Sequence, residues 1–336
     1  MNPYFLLRPF IFSVDPETAH DLTIKTLRLT RQSTGILCPP VPDKPVNVMG
    51  ITFKNPVGLA AGFDKNGECL EGMASLGFGF LEIGTVTPRP QPGNVKPRLF
   101  RLPEHQAIIN RLGFNNKGID YLLAQVERSA YTGVLGINIG KNADTPIEHA
   151  ADDYLIGLQK AYRVASYITV NISSPNTQNL RQLQHGDELK ALILKLKNAH
   201  SQLQREYGRY VPLVLKIAPD LKLDEVQQIA QLLLEFEIDG VIATNTTLSR
   251  EGVAGHIHAH EMGGLSGKPL NTMSTQIIQH LASELKGNIP IIAVGGILSG
   301  QDAQEKIAAG ASLVQVYTGL VYQGAALIHE IVSSFR

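Results

Sequence analysis

Beyond about residue 55, short apolar runs alternate with helical patterns. Eight runs read as strands: Val57–Ala61, Phe80–Gly84, Val134–Ile139, Tyr167–Ile172, Leu213–Ile217, Val241–Thr244, Ile291–Val294 and Leu313–Tyr317. Helical periodicity follows them, for example over Gly67–Leu76, Asp187–Tyr207, Asp224–Phe236, Asp302–Ala309 and Gly324–Ser333. Eight strand–helix units predict an α/β fold, a parallel (β/α)8 TIM barrel. A doubly wound open sheet has strands of the same apolar texture, so periodicity alone does not separate the two. The polar residues do. Asp64 and Lys65 follow the first run, Thr85 the second, and Asn138 ends the third. Asn171 and Ser174 end the fourth, and Lys216 lies in the fifth. Thr244, Asn245 and Thr246 follow the sixth, Gly295-Gly296 the seventh and Thr318-Gly319 the eighth. A barrel gathers all eight C-terminal strand ends around one mouth, whereas an open sheet scatters most of them along an edge. The barrel is expected.

The first 40 residues have another texture. Tyr4, Phe5, Leu6, Leu7, Phe10, Ile11 and Phe12 form an apolar cluster broken by Arg8 and Pro9. Asp15-Pro16 is a helix start, with Asp as N-cap and Pro at the first helical position. The helix is expected to reach Arg31, with Ala19, Leu22, Thr26 and Leu29 on one face. Pro39, Pro40, Pro42 and Pro45 read as a stiff linker. Val46–Val48 and Ile51–Phe53 flank Met49-Gly50, which suggests a small hairpin. The expected division is a helical segment over 1–40 and a barrel over 41–336.

Composition narrows the function. The 336 residues are 43% hydrophobic and 18% charged, with 30 Lys+Arg against 30 Asp+Glu. Zero net charge gives no reason to expect a nucleic-acid partner. Cys38 and Cys69 are the two cysteines, in no metal or redox spacing, and a disulfide framework is excluded. No apolar run approaches the length of a membrane-spanning helix. The start of the chain lacks the pattern of a secretory signal.

The candidate chemistry lies at the strand ends. Loops seven and eight, Gly295-Gly296 and Tyr317-Thr318-Gly319, stand where barrels hold phosphate on bare backbone N–H groups. Asn110, Asn138, Asn171, Asn176 and Asn245 offer amides suited to a flat heterocycle with alternating N–H and C=O edges. No pair of catalytic carboxylates suggests glycoside hydrolysis. Lys65 and Lys216 beside apolar strand residues suit an anion, a Schiff base or an electron-rich cofactor. Ser174 has neither a G-x-S-x-G elbow nor an evident His–Asp partner. Gly136–Asn142 hints at a phosphate loop, but Leu135 and Asn142 break the motif. His256, His258 and His260 alternate in a Gly-rich stretch without an acidic or cysteine partner suitably spaced, and a metal site is not expected.

Longer motifs carry a resemblance. They are Asn55–Lys65 (NPVGLAAGFDK), Gly84–Asn94 (GTVTPRPQPGN), Asn110–Asn116 (NRLGFNN), Asn171–Thr177 (NISSPNT) and Ile307–Ala311 (IAAGA). In these the chain resembles the class 2, quinone-dependent dihydroorotate dehydrogenases over about Pro3 to Val332. The resemblance implies oxidation of dihydroorotate to orotate in pyrimidine (UMP) biosynthesis, with FMN as cofactor. FMN would lie against Ala61, Gly62, Phe63, Asp64, Lys65, Thr85, Asn138, Asn171, Lys216 and Thr244. Its phosphate would sit among Gly267, Gly295, Gly296, Tyr317 and Thr318. Substrate would be held by Lys65, Asn110, Arg111, Leu112, Gly113, Phe114, Asn171, Asn176, Asn245 and Thr246. Ser174 would be the base at substrate C5 while hydride passes from C6 to flavin N5. Thr177 and Phe114 would border the proton's exit.

In the soluble class 1 relatives a cysteine stands at position 174. The serine and the N-terminal segment together indicate class 2. That segment would admit a membrane quinone and rest on the cytoplasmic face of a bacterial inner membrane. Phe5, Leu6, Leu7, Phe10, Ile11 and Phe12 would face lipid, with Arg8 near headgroups. A monomer is expected. Gln178-Asn179 departs from the frequent Pro-Gly of the family, which bears on the shape of the loop after Thr177. Other readings of the residues are a different FMN barrel oxidoreductase, a flavin-free phosphosugar isomerase or lyase, and a non-catalytic membrane scaffold.

Overall fold

The computed structural model describes residues 4–30 and 40–335. Arg31, Cys38 and Pro39 lie outside the described residues. Helices α1 (Tyr4–Ser13) and α2 (Pro16–Thr30) open the chain, and Asp15 caps α2 by accepting from the Thr18 N–H at 2.9 Å. The hairpin β1 (Val46–Val48) and β2 (Ile51–Phe53) follows, as expected. Then come β3 (Val57–Leu59), α3 (Leu70–Ala74) and β4 (Phe80–Val86). β5 (Leu99–Leu102), β6 (Ala107–Asn110) and α4 (Ile119–Arg128) come next, followed by β7 (Val134–Ile139), α5 (Ala150–Ala161) and β8 (Tyr167–Asn171). α6 (Gly186–Tyr207), β9 (Leu213–Ile217), α7 (Leu223–Glu235) and β10 (Gly240–Ala243) continue the alternation. β11 (Gly264–Gly267), α8 (Asn271–Leu285), β12 (Ile291–Val294), α9 (Gly300–Ala308), β13 (Leu313–Val316), α10 (Thr318–Gln323) and α11 (Ala326–Ser334) complete the chain.

Eight parallel strands close in the order β3-β4-β7-β8-β9-β10-β12-β13. These are the eight runs read from the sequence, so the barrel stands and the open sheet does not. Outward side chains pack against the helices in one large apolar core. Inward side chains fill the lower barrel. Phe53 of the hairpin meets Phe80 edge-on at 5.0 Å, Tyr167 lies beyond it at 6.4 Å, and β1–β2 closes that end. Aromatic plugging below leaves room for a site only at the upper mouth.

Over that mouth lies a three-stranded antiparallel sheet, β5-β6-β11, which the strand pattern did not predict. α2 leans on α3 and β5. At Gly72 a Cβ would meet the Leu27 carbonyl oxygen at 2.3 Å, so only glycine lets the two helices approach this closely. The expected inner face of α2 needs correction. Ala19 is buried, but Leu22 and Leu29 are 52% and 83% exposed, and the buried partners of Ala19 are Glu17 and Leu27. The cause is an ion pair: Arg98 Nη2 meets Glu17 Oε1 at 2.8 Å under the helix and sets its rotation. α1 docks through the Tyr4 hydroxyl on the Val321 carbonyl (2.6 Å) and through Phe12 edge-on to Tyr322 (5.3 Å). Phe5, Leu6, Leu7 and Phe10 remain exposed, while Ile11 and Phe12 turn inward. Arg8 donates to the Tyr322 carbonyl at 3.0 Å instead of pointing away from the barrel.

Candidate active site

The C-terminal strand ends surround one cavity. Its floor is polar. Asn171 donates to the Thr85 hydroxyl (2.8 Å), Thr85 to Asn138 Oδ1 (2.6 Å), and Asn138 to Glu82 Oε1 (2.8 Å). Asn245 donates to Asn171 Oδ1 at 3.4 Å and to the Ser173 hydroxyl at 3.0 Å. Each amide is oriented by its neighbour, so the face presented to the cavity is fixed before anything binds. From the overlying sheet, Asn110 at the end of β6 accepts from Asn176 Nδ2 through its carbonyl (3.1 Å) and its side-chain oxygen (3.2 Å).

Two ammonium groups face the same space. Lys65 reaches the Gly62 carbonyl at 2.8 Å. Burial, and then the like charge of Arg98, lower its pKa to about 8. Lys216 is buried in β9, and burial lowers its pKa while Glu82 opposes the shift. Ser174, 5% exposed, lines the same cavity, and its Oγ accepts the Asn176 N–H at 3.2 Å. That N–H would stabilise negative charge growing on the oxygen. At the far end Gly267, Gly295 and Gly296 have positive φ (94°, 119° and 74°), the region glycine tolerates best. The Ser266 and Thr318 hydroxyls meet there at 2.9 Å.

The sequence-predicted residues divide as follows. Ala61, Gly62, Lys65, Thr85, Asn171, Lys216, Thr244, Gly267, Gly295, Gly296, Tyr317 and Thr318 line the cavity, as do Asn110, Leu112, Gly113, Phe114, Ser174, Asn176, Asn245 and Thr246. Four do not. Asn138 lies beneath, behind Thr85. Phe63 packs between His20 and Tyr317, at 5.1 and 5.6 Å. Asp64 folds its own loop by accepting the Glu68 N–H at 3.0 Å and the Cys69 N–H at 2.9 Å. Arg111 turns outward to Glu261 at 2.6 Å and stacks over Phe100. Thr177 is buried with its hydroxyl unpartnered. Asn179 takes the left-handed conformation (φ 58°), so asparagine fills the place of the family's frequent glycine. Lys141 of the rejected phosphate loop is spent on the Asn142 and Thr145 carbonyls. His256 pairs with Glu104 at 3.3 Å and lies against the His105 ring.

Glu82 and Gln315 were not read from the sequence. Glu82 is fully buried in the barrel and accepts from Asn138, Tyr167 (2.9 Å), Thr169 (3.2 Å) and Gln315 (2.8 Å). Gln315 lines the cavity, and its Oε1 is buried without a donor. A second, apolar channel runs between α1–α2 and the barrel past Ala19, His20, Leu27, Phe63 and Arg101. It shares Leu99, Ile108 and Tyr317 with the main cavity. Burial, then Lys65, pushes the His20 pKa down to about 3, so the imidazole is neutral.

The family model described as "Dihydroorotate dehydrogenase" matches residues 45–336. A quinone-type dihydroorotate dehydrogenase of Chromobacterium violaceum is 61% identical over 329 residues, 97% of this chain and 96% of that protein. The chain belongs to the quinone-dependent dihydroorotate dehydrogenases. The Azotobacter vinelandii member is 59% identical over 98% of this chain and 96% of its own length. The fold is similar to that of DHODH from Eimeria tenella in complex with ferulenol. That structure matches at a TM-score of 0.86 and 41% identity, over 95% of this chain and 90% of its own.

Proposed function

We propose that the cavity oxidises dihydroorotate to orotate on bound FMN, with Ser174 as base, and that a quinone reoxidises the cofactor through the apolar channel. The carrying observation is that Ser174, Lys65, Lys216 and the glycine pair open on one cavity with an amide wall. The residues fit a flavin nucleotide. The orphaned Gln315 Oε1 requires an N–H, which a flavin's pyrimidine edge carries. Lys216 supplies positive charge for an edge that gains electron density. Gly267, Gly295, Gly296 and Thr318 form a backbone-lined end suited to phosphate.

FMN, when bound, supplies the two-electron acceptor for hydride from substrate C6. Lys65 holds the substrate carboxylate, and Asn110, Asn171, Asn176 and Asn245 hold its ring edges. Ser174 takes the C5 proton, and the Asn176 N–H steadies the charge left on Oγ. Thr177 and Phe114 border the path by which that proton leaves. The β5-β6-β11 sheet excludes bulk water from above. Two electrons and two protons then complete the quinol.

Residues 1–40 form the quinone-access segment, and 41–336 the FMN barrel. Phe5, Leu6, Leu7 and Phe10 present an apolar face that rests on the cytoplasmic side of a bacterial inner membrane. No described helix is long and apolar enough to cross a membrane, and the chain acts as a monomer. Anaerobic mixing of pure protein with dihydroorotate should bleach the flavin, and a soluble quinone should restore it. Protein that is colourless after FMN loading, or stays yellow with dihydroorotate, overturns this reading.

A further inference from the structure

The chain leaving Ser174 passes Asn176 at the cavity and then enters a short turn. Asn179 turns it, and the turn Leu180–Gln184 drops Leu180 and Leu183 into the core. Between these leucines Arg181 reaches back across the loops. Its Nε donates to the Ser173 carbonyl at 3.1 Å and its Nη2 to the Thr246 carbonyl at 2.9 Å. Its Nη1 pairs with Asp220 at 2.7 Å. Asp220 also accepts the Leu248 N–H at 3.1 Å and the Thr247 hydroxyl. One guanidinium thus joins the loops after β8, β9 and β10. The carbonyls it holds belong to Ser173, which precedes Ser174, and to Thr246, which follows Asn245. Arg181 itself does not line the cavity. A planar fork with donors at fixed angles can meet two carbonyls and a carboxylate together; the three donors of an ammonium sit on one nitrogen and cannot span them.

We propose that Arg181 is a positioning residue, stapling the Ser174 loop in register with Asn245–Thr246 so that hydroxyl and amides meet the substrate together. The catalytic part of this rests on Ser174 being the base. Full-length, flavin-loaded Arg181→Met and Arg181→Lys test it by two readouts. The first is backbone hydrogen exchange, which needs no substrate. Exchange over 172–177 and 245–248 should rise about tenfold or more in the Met variant and less in the Lys variant, with α5 unchanged. The second is the split between half-reactions. A displacement near 1 Å at the reacting atoms costs about 10²-fold. The limiting rate of flavin bleaching by dihydroorotate should therefore fall by about 10- to 100-fold. Quinone reoxidation of dithionite-reduced flavin should not change.

Exchange within twofold of wild type in both variants overturns the staple. A loosened loop with unchanged bleaching, or an equal loss in both half-reactions, overturns its catalytic consequence. If the Met variant does not fold, the Lys variant decides on the same readouts. Wild-type protein that dihydroorotate fails to bleach overturns the proposed function instead, and exchange still decides the staple.

Discussion

The titration of Lys65 sets a pH dependence on ligand affinity that the site allows to be worked out. Burial, with Arg98 as the leading like charge, lowers its pKa from the ordinary 10.5 to about 8, while Glu17, Asp64 and Asp21 pull upward. The side chain is charged at pH 6–7 and half neutral at about 8. A carboxylate ligand binds the charged form. Affinity is therefore greatest below pH 8 and is lost as pH rises through it. For one proton the dissociation constant scales as 1 + 10^(pH−8), about 11-fold at pH 9 and about 100-fold at pH 10. A bound carboxylate raises the lysine pKa in return, so the loss levels off at the pKa of the complex. The assay is titration with orotate, followed by flavin absorbance, from pH 6 to 10 at fixed ionic strength, in wild type and Lys65→Met. The wild type should break near pH 8. The variant should bind more weakly at pH 7 and show no break, and titration of the ligand itself cancels in the ratio of the two. A wild-type ratio that stays flat from pH 7 to 10 would show that Lys65 does not titrate against the bound carboxylate.

Three further outcomes follow from the same geometry. Ser174→Ala should slow anaerobic bleaching by dihydroorotate about 10²- to 10⁴-fold while leaving quinone reoxidation intact, as stopped-flow absorbance would show. Removal of residues 1–40 should abolish turnover with a membrane quinone yet spare bleaching by dihydroorotate; unchanged quinone turnover would contradict the role given to α1 and α2. Glu17→Gln should cost about 2 kcal/mol by denaturant unfolding, less than the ~3–5 of a wholly buried broken pair. Arg98 keeps the Pro92 and Asn94 carbonyls, which limits the loss. Although burial raises the Glu17 pKa, Arg98 and Lys96 hold it below the ordinary value, so this stabilisation is present above the usual carboxylate range and fades as pH falls through the lowered pKa.

The barrel was legible because each parallel strand is buried on both faces and reads as a short, mostly apolar run. The lining of the cavity was legible where polar residues interrupt such runs or follow their C-terminal ends, as at Asn171, Ser174 and Asn245. β11 was not, because Gly-Leu-Ser-Gly carries no alternation and its partner Asn110 lies far back in the chain. The buried face of α2 was misjudged because Glu17 reads as a surface charge until Arg98 is seen beneath it. Glu82 and Gln315 were missed for a related reason. A polar residue within a strand gains meaning only from partners on other strands, here Asn138, Tyr167 and Thr169. Arg111 matched a family motif, yet its side chain pairs with Glu261, which no local pattern connects to it.

Everything in the mechanism requires one ligand to lie between a flavin ring and the Ser174 hydroxyl. A crystal structure of the protein with FMN and orotate measures this directly. The isoalloxazine should lie over Lys216 and Gln315, with its phosphate at Gly295 and Gly296, and Ser174 Oγ should be in contact with orotate C5 on the face away from the flavin. A flavin bound elsewhere, or a Ser174 hydroxyl turned from the pyrimidine, would contradict it.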